Sequence, residues 1–209
     1  MTTDRDIIVI GAGGHAKVVL NALLNNGFRV RGLVDHDVTL HGQSVLGCPI
    51  LGDDSVLEAC DPRQTVLANG IGMPRDSRLR RTIFERLRQH GFSFPVLVDA
   101  SAILGDEVTL GEGAQILAGA VIQPGTAIGD NTIINSRATV DHDCVIGAHA
   151  HIAPGATLCG GVILGEGCLV GAGAILLPGI RIGDATIIGA GCTVRHPIAS
   201  NTIFLGHRS

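Results

Sequence analysis

His142 stands between two carboxylates in the run Asp141–His142–Asp143. A neutral imidazole, with a reference pKa of about 6.5, can accept a proton at neutral pH from a nucleophile that must lose one. A carboxylate on the other ring nitrogen would fix its tautomer, and Asp141 and Asp143 are equally near by sequence. Residue type alone favours a solvated surface histidine, so this triplet indicates general-base chemistry only in a suitable setting.

A second chemical feature is the glycine-rich run GAGGHA near the start of the chain, in which Gly11, Gly13 and Ala16 approximate the pattern GxGxxG/A. Such a turn would bring backbone N–H groups and a helix N-terminus to a phosphate, with Asp35 placed to accept from a ribose hydroxyl. The roughly 94 residues of this region are short for a two-halved dinucleotide fold, which favours a nucleotide or nucleotide sugar over NAD.

The elements around this turn are those of a βαβ unit. DIIVIG is typical of a buried strand, a helix follows and ends near residues 25–27, and RVRGLVD predicts a second strand ending at Asp35. QTVLANGIG then predicts a strand and DSRLRRTIFERLRQHGF a helix with the apolar face Leu79, Ile83, Phe84 and Leu87. We expect the arginines of this helix to line its solvated face: Arg75, Arg78, Arg80, Arg81, Arg86 and Arg88.

The second half of the chain repeats every six residues. Each of the following positions is Leu, Ile or Val: 104, 110, 116, 122, 128, 134, 140, 146, 152, 158, 164, 170, 176, 182, 188 and 194. Four residues after nearly every one comes a small or modest side chain, and Gly often follows the aliphatic residue directly. This period predicts a solenoid in which aliphatic side chains stack inward and small residues fill the corners.

Composition limits the classes of function. The net charge is -4, only 16% of the residues are charged, and the chain has 30 Gly, five Phe and neither Trp nor Tyr. These values disfavour a nucleic-acid or membrane partner and suit narrow, repeated side-chain slots. With no apolar run long enough for a signal peptide or a membrane span, we expect a cytoplasmic protein, whose six cysteines are reduced and inert.

The Gly-Gly-His turn in GAGGHAKVV, joined to repeats containing ATVDHDCVIGAHAHIAPGA, resembles the NeuD and PglD family of bacterial sugar acyltransferases over essentially the whole chain. The resemblance implies a Rossmann-like domain (residues 1–94) followed by a left-handed parallel β-helix (residues 95–209). It also implies a homotrimer with active sites between subunits, and transfer of an acetyl group from acetyl-CoA to a sugar. Several members act on nucleotide-linked 4-amino-6-deoxy sugars, which makes such a sugar the expected substrate.

The resemblance also assigns roles to individual residues. His142 matches the catalytic base and Asp143 the carboxylate that holds it. The substrate positions are Gly13, Gly14, His15, Asp35, His36 and Asn135, and the acetyl-CoA positions are His151, Gly160, Ala172 and Ala190. His36 departs from the usual second acid, which leaves both UDP and GDP open. No Ser or Cys lies in a recognisable nucleophile motif, which favours direct transfer, and the glycine-rich run LCGGVILG could supply backbone donors to an oxyanion.

Three alternatives remain at this point. Within the family the acceptor could be the hydroxyl of a sialic acid. A zinc enzyme would use His142, His149 and His151, the clustered histidines of the repeats, although no metal is expected. A third alternative is a non-enzymatic trimeric scaffold that only binds a nucleotide.

Overall fold

The computed structural model describes residues 6–73 and 78–206. The N-terminal part is a five-stranded sheet of order β3-β4-β2-β1-β5, parallel except for the β3–β4 pair. Its strands are β1 (Asp6–Ile10), β2 (Val30–Val34), β3 (Ser44–Val45), β4 (Cys48–Gly52) and β5 (Thr65–Asn69). The helices are α1 (Gly14–Asn25), α2 (Ser55–Glu58), α3 (Arg78–Gln89) and a 3₁₀ turn at Val38–Leu40.

The predicted strands on either side of the glycine-rich turn are present as β1 and β2, and the predicted first helix is present as α1. The β3–β4 hairpin and α2 had no expected counterpart, because their segments are short and lack a clear period. In α3, Phe84 and Leu87 are buried as predicted, whereas Leu79 is 62% exposed and Arg80 is 1% exposed. The predicted solvated position of Arg80 is therefore wrong, and that of Arg75 lies outside the described residues.

Residues 97–204 form a three-faced β-helix of two-residue parallel strands. Face 1 contains β6 (Leu97–Val98), β9 (Gln115–Ile116), β12 (Ile133–Ile134), β15 (His151–Ile152), β18 (Leu169–Val170), β21 (Ile187–Ile188) and β23 (Ile203–Phe204). Face 2 contains β7 (Ile103–Leu104), β10 (Val121–Ile122), β13 (Thr139–Val140), β16 (Thr157–Leu158), β19 (Ile175–Leu176) and β22 (Thr193–Val194). Face 3 contains β8 (Thr109–Leu110), β11 (Ala127–Ile128), β14 (Val145–Ile146), β17 (Ile163–Leu164) and β20 (Arg181–Ile182).

The six-residue period is the spacing from one face to the next. The aliphatic residues from Ile116 to Val194 point inward and are buried, while Leu104 and Leu110 are more exposed because no coil covers them from below. Several glycines directly after a strand, such as Gly129, leave no space for a Cβ. A Cβ on Gly129 would lie 2.5 Å from the backbone nitrogen of Ala148 in the next coil. These glycines thus allow close stacking of coils, rather than only a turn.

The N-terminal sheet packs on face 1 of the β-helix. Helix α1 contributes Val19, Leu20 and Leu23 to a buried cluster that also includes Leu117 and Ile133 of the β-helix. The side chain of Asn26 donates a hydrogen bond to the carbonyl of Val98, 3.0 Å away. The position of the domain boundary, between residues 94 and 95, stays a prediction. No helix among the described residues is long and apolar enough to cross a membrane.

We expect Ile152→Ala to lower the free energy of unfolding by about 2–5 kcal/mol, because Ile152 is fully buried in the stack and its loss leaves a cavity. Ile203→Ala, at a 66% exposed position of face 1, is the control and should lower it by less than about 1 kcal/mol. Chemical denaturation at fixed protein concentration measures both. Equal losses for the two variants would contradict the stacking argument.

Candidate functional site

His142 and Asp143 lie at the corner where face 2 turns into face 3. The His142 Nδ1 atom is 2.8 Å from Oδ2 of Asp143, whereas Asp141 accepts a hydrogen bond from the backbone nitrogen of His142 at 2.8 Å. The hydrogen bond with Asp143 is the main cause that raises the pKa of His142, and the charge of Asp141 adds to it. Since Nδ1–H donates to the carboxylate, the Nε2 lone pair is free to accept a proton.

The backbone at this corner has the left-handed conformation that recurs every six residues along the β-helix. Most of these positions are glycine, but Asp143 has a φ of 57°. Asn131, Arg137 and His149 share this conformation, so it is a recurring feature of the corners and does not by itself mark Asp143 as a functional residue. In the coil before, Gly125 leaves room for this carboxylate, because a Cβ there would lie 2.8 Å from Oδ1 of Asp143.

Gly160 lies directly beside the free nitrogen of His142. An ideal Cβ on Gly160 would be 2.5 Å from His142 Nε2 and 2.7 Å from Cε1, closer than real Cβ contacts. The absence of a side chain at residue 160 therefore lets the imidazole lie over the backbone of the next coil. The carbonyl of Gly160 accepts a hydrogen bond from the backbone nitrogen of Gly179 at 2.9 Å, which fixes the peptide between Gly160 and Gly161.

Asp35 holds the glycine-rich turn in the N-terminal sheet. Its carboxylate accepts from the backbone nitrogens of Ala12 and Asp37 at 2.7 and 2.9 Å, and Oδ1 is 3.3 Å from Nδ1 of His36. Gly11 has a φ of 86°, a value that favours glycine. His36 is almost fully exposed, and its side chain pairs with Asp35.

Gly13 and Gly14 begin α1 and leave open space over its N-terminus. Gly13 is the N-cap, no side chain of the described residues caps the helix, and a Cβ at either glycine would meet none of their atoms within 4 Å. The first N–H groups of a helix without a side-chain cap can bind an anion, with the helix dipole favouring negative charge. This end of α1 can accept a phosphate.

His15 contacts the β-helix through Gln115 on face 1. The Nε2 amide group of Gln115 donates to the carbonyl of Asn69 at 2.8 Å, so its Oε1 must accept from Nε2–H of His15, 2.9 Å away. This leaves the Nδ1 lone pair of His15 unprotonated. Burial lowers the pKa of His15 to about 4, and the charge of Arg80 contributes.

His151 lies near His15, with a ring-centroid distance of 6.5 Å. Oδ1 of Asn135 accepts from the nitrogen of Ser136, so the amide nitrogen of Asn135 donates to Nε2 of His151 at 3.0 Å. Neutral His151 then carries its proton on the buried Nδ1, which makes no hydrogen bond of ordinary geometry among the described residues, although the backbone of Met73 acts on this ring. Burial lowers the pKa of His151 to about 4, with Arg80 as the second cause.

The three histidines of the zinc alternative do not share a site. His149 sits at the corner between faces 3 and 1, where it contacts Asn131 at 3.0 Å and the edge of Phe84. His142 lies at a different corner, and His151 faces His15. No metal-binding group of His, Cys, Asp or Glu occurs within residues 6–73 and 78–206. The side chains of His149 and His151 are both buried, at 6% and 9% exposure.

The remaining predicted site residues lie in different parts of the chain. Ala172 and Ala190 are exposed and stacked at the corner between faces 1 and 2, where the nitrogen of Gly191 donates to the carbonyl of Ala172 at 2.8 Å. Gly160 and the His142 pair lie at the corner opposite face 1, whereas the N-terminal sheet covers face 1 itself. A single chain therefore does not bring the histidine pair to the glycine-rich turn.

Sequence reasoning missed Arg80, Asn69 and Gln115, which connect the two parts. Arg80 shares the helical spacing of the buried residues Phe84 and Leu87, and this spacing was a usable signal. No comparable signal existed for Gln115 or Asn69, because their partners lie 100 and 62 residues away.

Comparisons with known proteins agree with this arrangement. Residues 6–87 match the model of the PglD N-terminal domain, and residues 107–142, 125–160 and 161–196 match bacterial transferase hexapeptide (six repeats). Among curated protein sequences no match was found. These family matches support the predicted Rossmann-like domain and left-handed β-helix, which are confirmed.

Several solved structures are similar over nearly the whole chain. PerB from Caulobacter crescentus, in complex with CoA and GDP-perosamine, has 39% identity and a TM-score of 0.88, covering 97% of this chain and 95% of that one. The acetyltransferase domain of PglB from Neisseria gonorrhoeae FA1090, in complex with acetyl coenzyme A, has 34% identity, a TM-score of 0.90 and 96% coverage of both chains. WeeI from Acinetobacter baumannii AYE, at 23% identity, a TM-score of 0.85 and 95% coverage of each chain, supports the fold alone.

We expect Gly160→Ala to lower turnover by at least about tenfold, because the added methyl group would displace the imidazole of His142 from its place. Steady-state kinetics of the purified variant measures this effect.

Gly161→Ala is the matched control. Its φ of 69° makes a side chain strained, but a Cβ there would meet nothing closer than 3.9 Å, so it should cost stability and leave turnover within about twofold. Equal turnover losses in the two variants would show that the contact with His142 is not what matters.

Proposed function

Because the chain belongs to the NeuD and PglD family of sugar acyltransferases, whose close structural relatives are acetyl-CoA-dependent sugar N-acetyltransferases, we propose the following reaction. The protein transfers an acetyl group from acetyl-CoA to the amino group of a nucleotide-linked 4-amino-6-deoxy sugar. The observation that carries this proposal is the free Nε2 of His142, held by Asp143 and lying over Gly160. A relative bound to GDP-perosamine makes GDP the first nucleotide to test, with UDP the second.

His142 acts as the general base. The amine nitrogen attacks the thioester carbonyl carbon and gives a proton to Nε2, while Asp143 stabilises the imidazolium through Nδ1–H. Collapse of the tetrahedral intermediate breaks the C–S bond, and the proton passes from Nε2 to the leaving thiolate, which leaves as CoA. The base is thus restored in one turnover.

The N–H of Gly160 is the donor that we assign to the oxyanion. It donates no hydrogen bond to any group in the described ranges, and it belongs to the peptide beside His142 Nε2. The hydrogen bond from a preorganised N–H group to a developing negative charge strengthens as the tetrahedral intermediate forms. This assignment places the base and the oxyanion donor on successive coils of one corner.

Transfer is direct, without an acyl-enzyme. Cys144, the cysteine next to the histidine pair, is fully buried, and burial raises the pKa of its thiol. Its Sγ donates to the carbonyl of Cys159 at 3.3 Å, so it serves packing rather than attack. A thiol of this kind is a poor nucleophile at neutral pH.

The complete site requires more than one copy of the chain, which supports a homotrimer. The glycine-rich turn lies on the side of face 1, and His142 lies at the corner opposite that face. Faces 2 and 3 expose apolar residues such as Ile175 and Val145, at 39% and 49%. A second copy against these faces would cover them and bring its own nucleotide site toward His142.

The test is CoA thiol release from acetyl-CoA with a panel of GDP- and UDP-linked 4-amino sugars and free sialic acid. We expect rapid release with one amino sugar, and in His142→Ala a loss of about 10²–10⁴-fold in kcat with binding of both ligands retained. Release only with sialic acid would replace N- by O-acetylation, and no release with any acceptor would favour a scaffold.

Cys159→Ala is the control for direct transfer. Cys159 precedes Gly160 in the chain, and its thiol plays no part in the proposed reaction. We expect this variant to retain wild-type turnover. Near wild-type turnover in His142→Ala, or loss of turnover in Cys159→Ala, would overturn the mechanism.

Asp143→Asn tests the electrostatic part of the mechanism. Asp143 raises the pKa of His142, so the wild-type kcat/KM should fall as pH drops through a pKa above the ordinary value of histidine. Without the carboxylate this acid limb should move to lower pH, with Asp141 retaining part of the shift, and the plateau should fall by roughly 10-fold. A pH–rate profile that moves toward higher pH, or does not move, would contradict the assignment.

A further inference from the structure

Arg80 is a buried cation without a carboxylate partner among the described residues. Its side chain is 1% exposed, and within the described ranges its guanidinium donates only to backbone carbonyls. Nε donates to Asn131 at 3.2 Å, and Nη1 donates to Asn69 at 2.9 Å and to Ile71 at 2.7 Å. Nη2 is buried and has no partner in the described ranges. Removing a guanidinium from water is costly, and an apolar side chain of similar volume would avoid that cost.

We propose that Arg80 is a positioning residue for acetyl transfer: by bridging the carboxyl end of β5 to the β-helix corner at Asn131, its guanidinium fixes where His15 meets His151. The link to catalysis rests on the proposed function, with His15 at an expected substrate position and His151 at an expected acetyl-CoA position, whereas the link between the two domains rests on the geometry alone. Asn69 ends β5 on the edge of the sheet that carries the glycine-rich turn. Asn131 is a left-handed corner residue of the β-helix, with a φ of 54°.

The carbonyl of Asn69 connects Arg80 to His15 through the side chain of Gln115. It accepts from Arg80 Nη1 and also from the side-chain amide of Gln115, at 2.9 and 2.8 Å. Oε1 of the same Gln115 side chain accepts a hydrogen bond from Nε2–H of His15. A shift of the Asn69 carbonyl therefore moves Gln115, and with it the tautomer and position of His15.

The side chain of Asn69 closes the connection from the other direction. Its amide nitrogen donates to the carbonyl of Arg80 and to Oδ1 of Asn131, both at 3.2 Å, while its Oδ1 accepts from the nitrogen of Ile71. The amide of Asn131 then donates to Nδ1 of His149. Each donor and acceptor in this network has a defined direction, so the network allows one relative placement of β5 and the β-helix.

The charge of Arg80 has a second effect on the same pair of histidines. Next to burial, it is the main cause that lowers the pKa of both His15 and His151. Among the described residues, the groups facing these rings are Gln115, Asn135, each other and the backbone of Met73, with no carboxylate in that set. Glu85, Arg81 and Glu166 act instead on His149. Burial and, after it, the charge of Arg80 therefore keep both rings neutral near pH 7, with the lone pair of His15 on Nδ1.

Only a guanidinium can make this bridge. Its planar fork reaches three carbonyls from two nitrogens, and it keeps its charge near pH 7, since burial lowers its pKa only to about 9. A lysine would keep a positive charge but present a single point donor. Arg80→Lys and Arg80→Met therefore separate the bridging geometry from the charge.

We expect both variants to lower kcat by about 10- to 100-fold, because the histidines would no longer be held in register. Histidine NMR titration of the substrate-free protein should show His15 and His151 protonating at higher pH in Arg80→Met and as in the wild type in Arg80→Lys. Arg81→Met is the matched control. Arg81 is the next residue of α3, and on the surface it pairs with Glu85 and with Glu166 of the β-helix, so kcat and both titrations should be unchanged.

Wild-type kcat in either Arg80 variant, or unchanged histidine titration in Arg80→Met, would overturn the proposal. If Arg80→Met does not fold, Gln115→Met tests the same connection and should lower kcat and release the His15 tautomer, as read from its imidazole ¹⁵N shifts. Wild-type kcat and tautomer in that variant would also overturn it. The NMR readouts need no substrate, so a wild-type protein that acetylates no sugar would remove the proposed function without deciding the role of Arg80.

Discussion

The close approach of successive coils at the corners of the β-helix is the constraint on which the rest of the structure depends. A Cβ on Gly129 or Gly147 would lie 2.5–2.6 Å from the backbone of the next coil, so these positions admit only glycine at this spacing. The same closeness brings the backbone of Gly160 under the imidazole of His142. The repeat is therefore both the scaffold and the means by which a base and a backbone N–H group meet without any flexible loop.

The contact between the two domains depends on side chains rather than on backbone stacking. Its apolar part is a contact of α1 with Leu117 and Ile133, which is tolerant of small shifts. Its polar part is a directed network of asparagines, a glutamine, histidines and one arginine. Hydrogen bonds of this kind add little net stability but specify a single geometry, because a misplaced buried donor loses its partner.

The pKa of His142 is shifted in the opposite direction from the pKa values of His15 and His151. The pKa of exposed His142 is raised by the hydrogen bond to Asp143 and by the charge of Asp141. The pKa values of buried His15 and His151 are lowered to about 4 by burial and by Arg80. Near neutral pH, one histidine can thus take up and release a proton while the other two remain neutral hydrogen-bonding groups.

The sequence by itself determined the two architectures, because a six-residue aliphatic period and a glycine-rich turn between strand and helix are local patterns with few structural solutions. It also indicated His142, through the family resemblance of the run that contains it rather than through its two acidic neighbours alone. Only the tertiary structure decided that Nδ1 of His142 contacts Asp143 while Asp141 holds the backbone. It also placed Arg80 inside the molecule and joined Gln115 to His15. These contacts link residues far apart in the chain, and a side chain's partner across such a distance depends on packing rather than on local spacing.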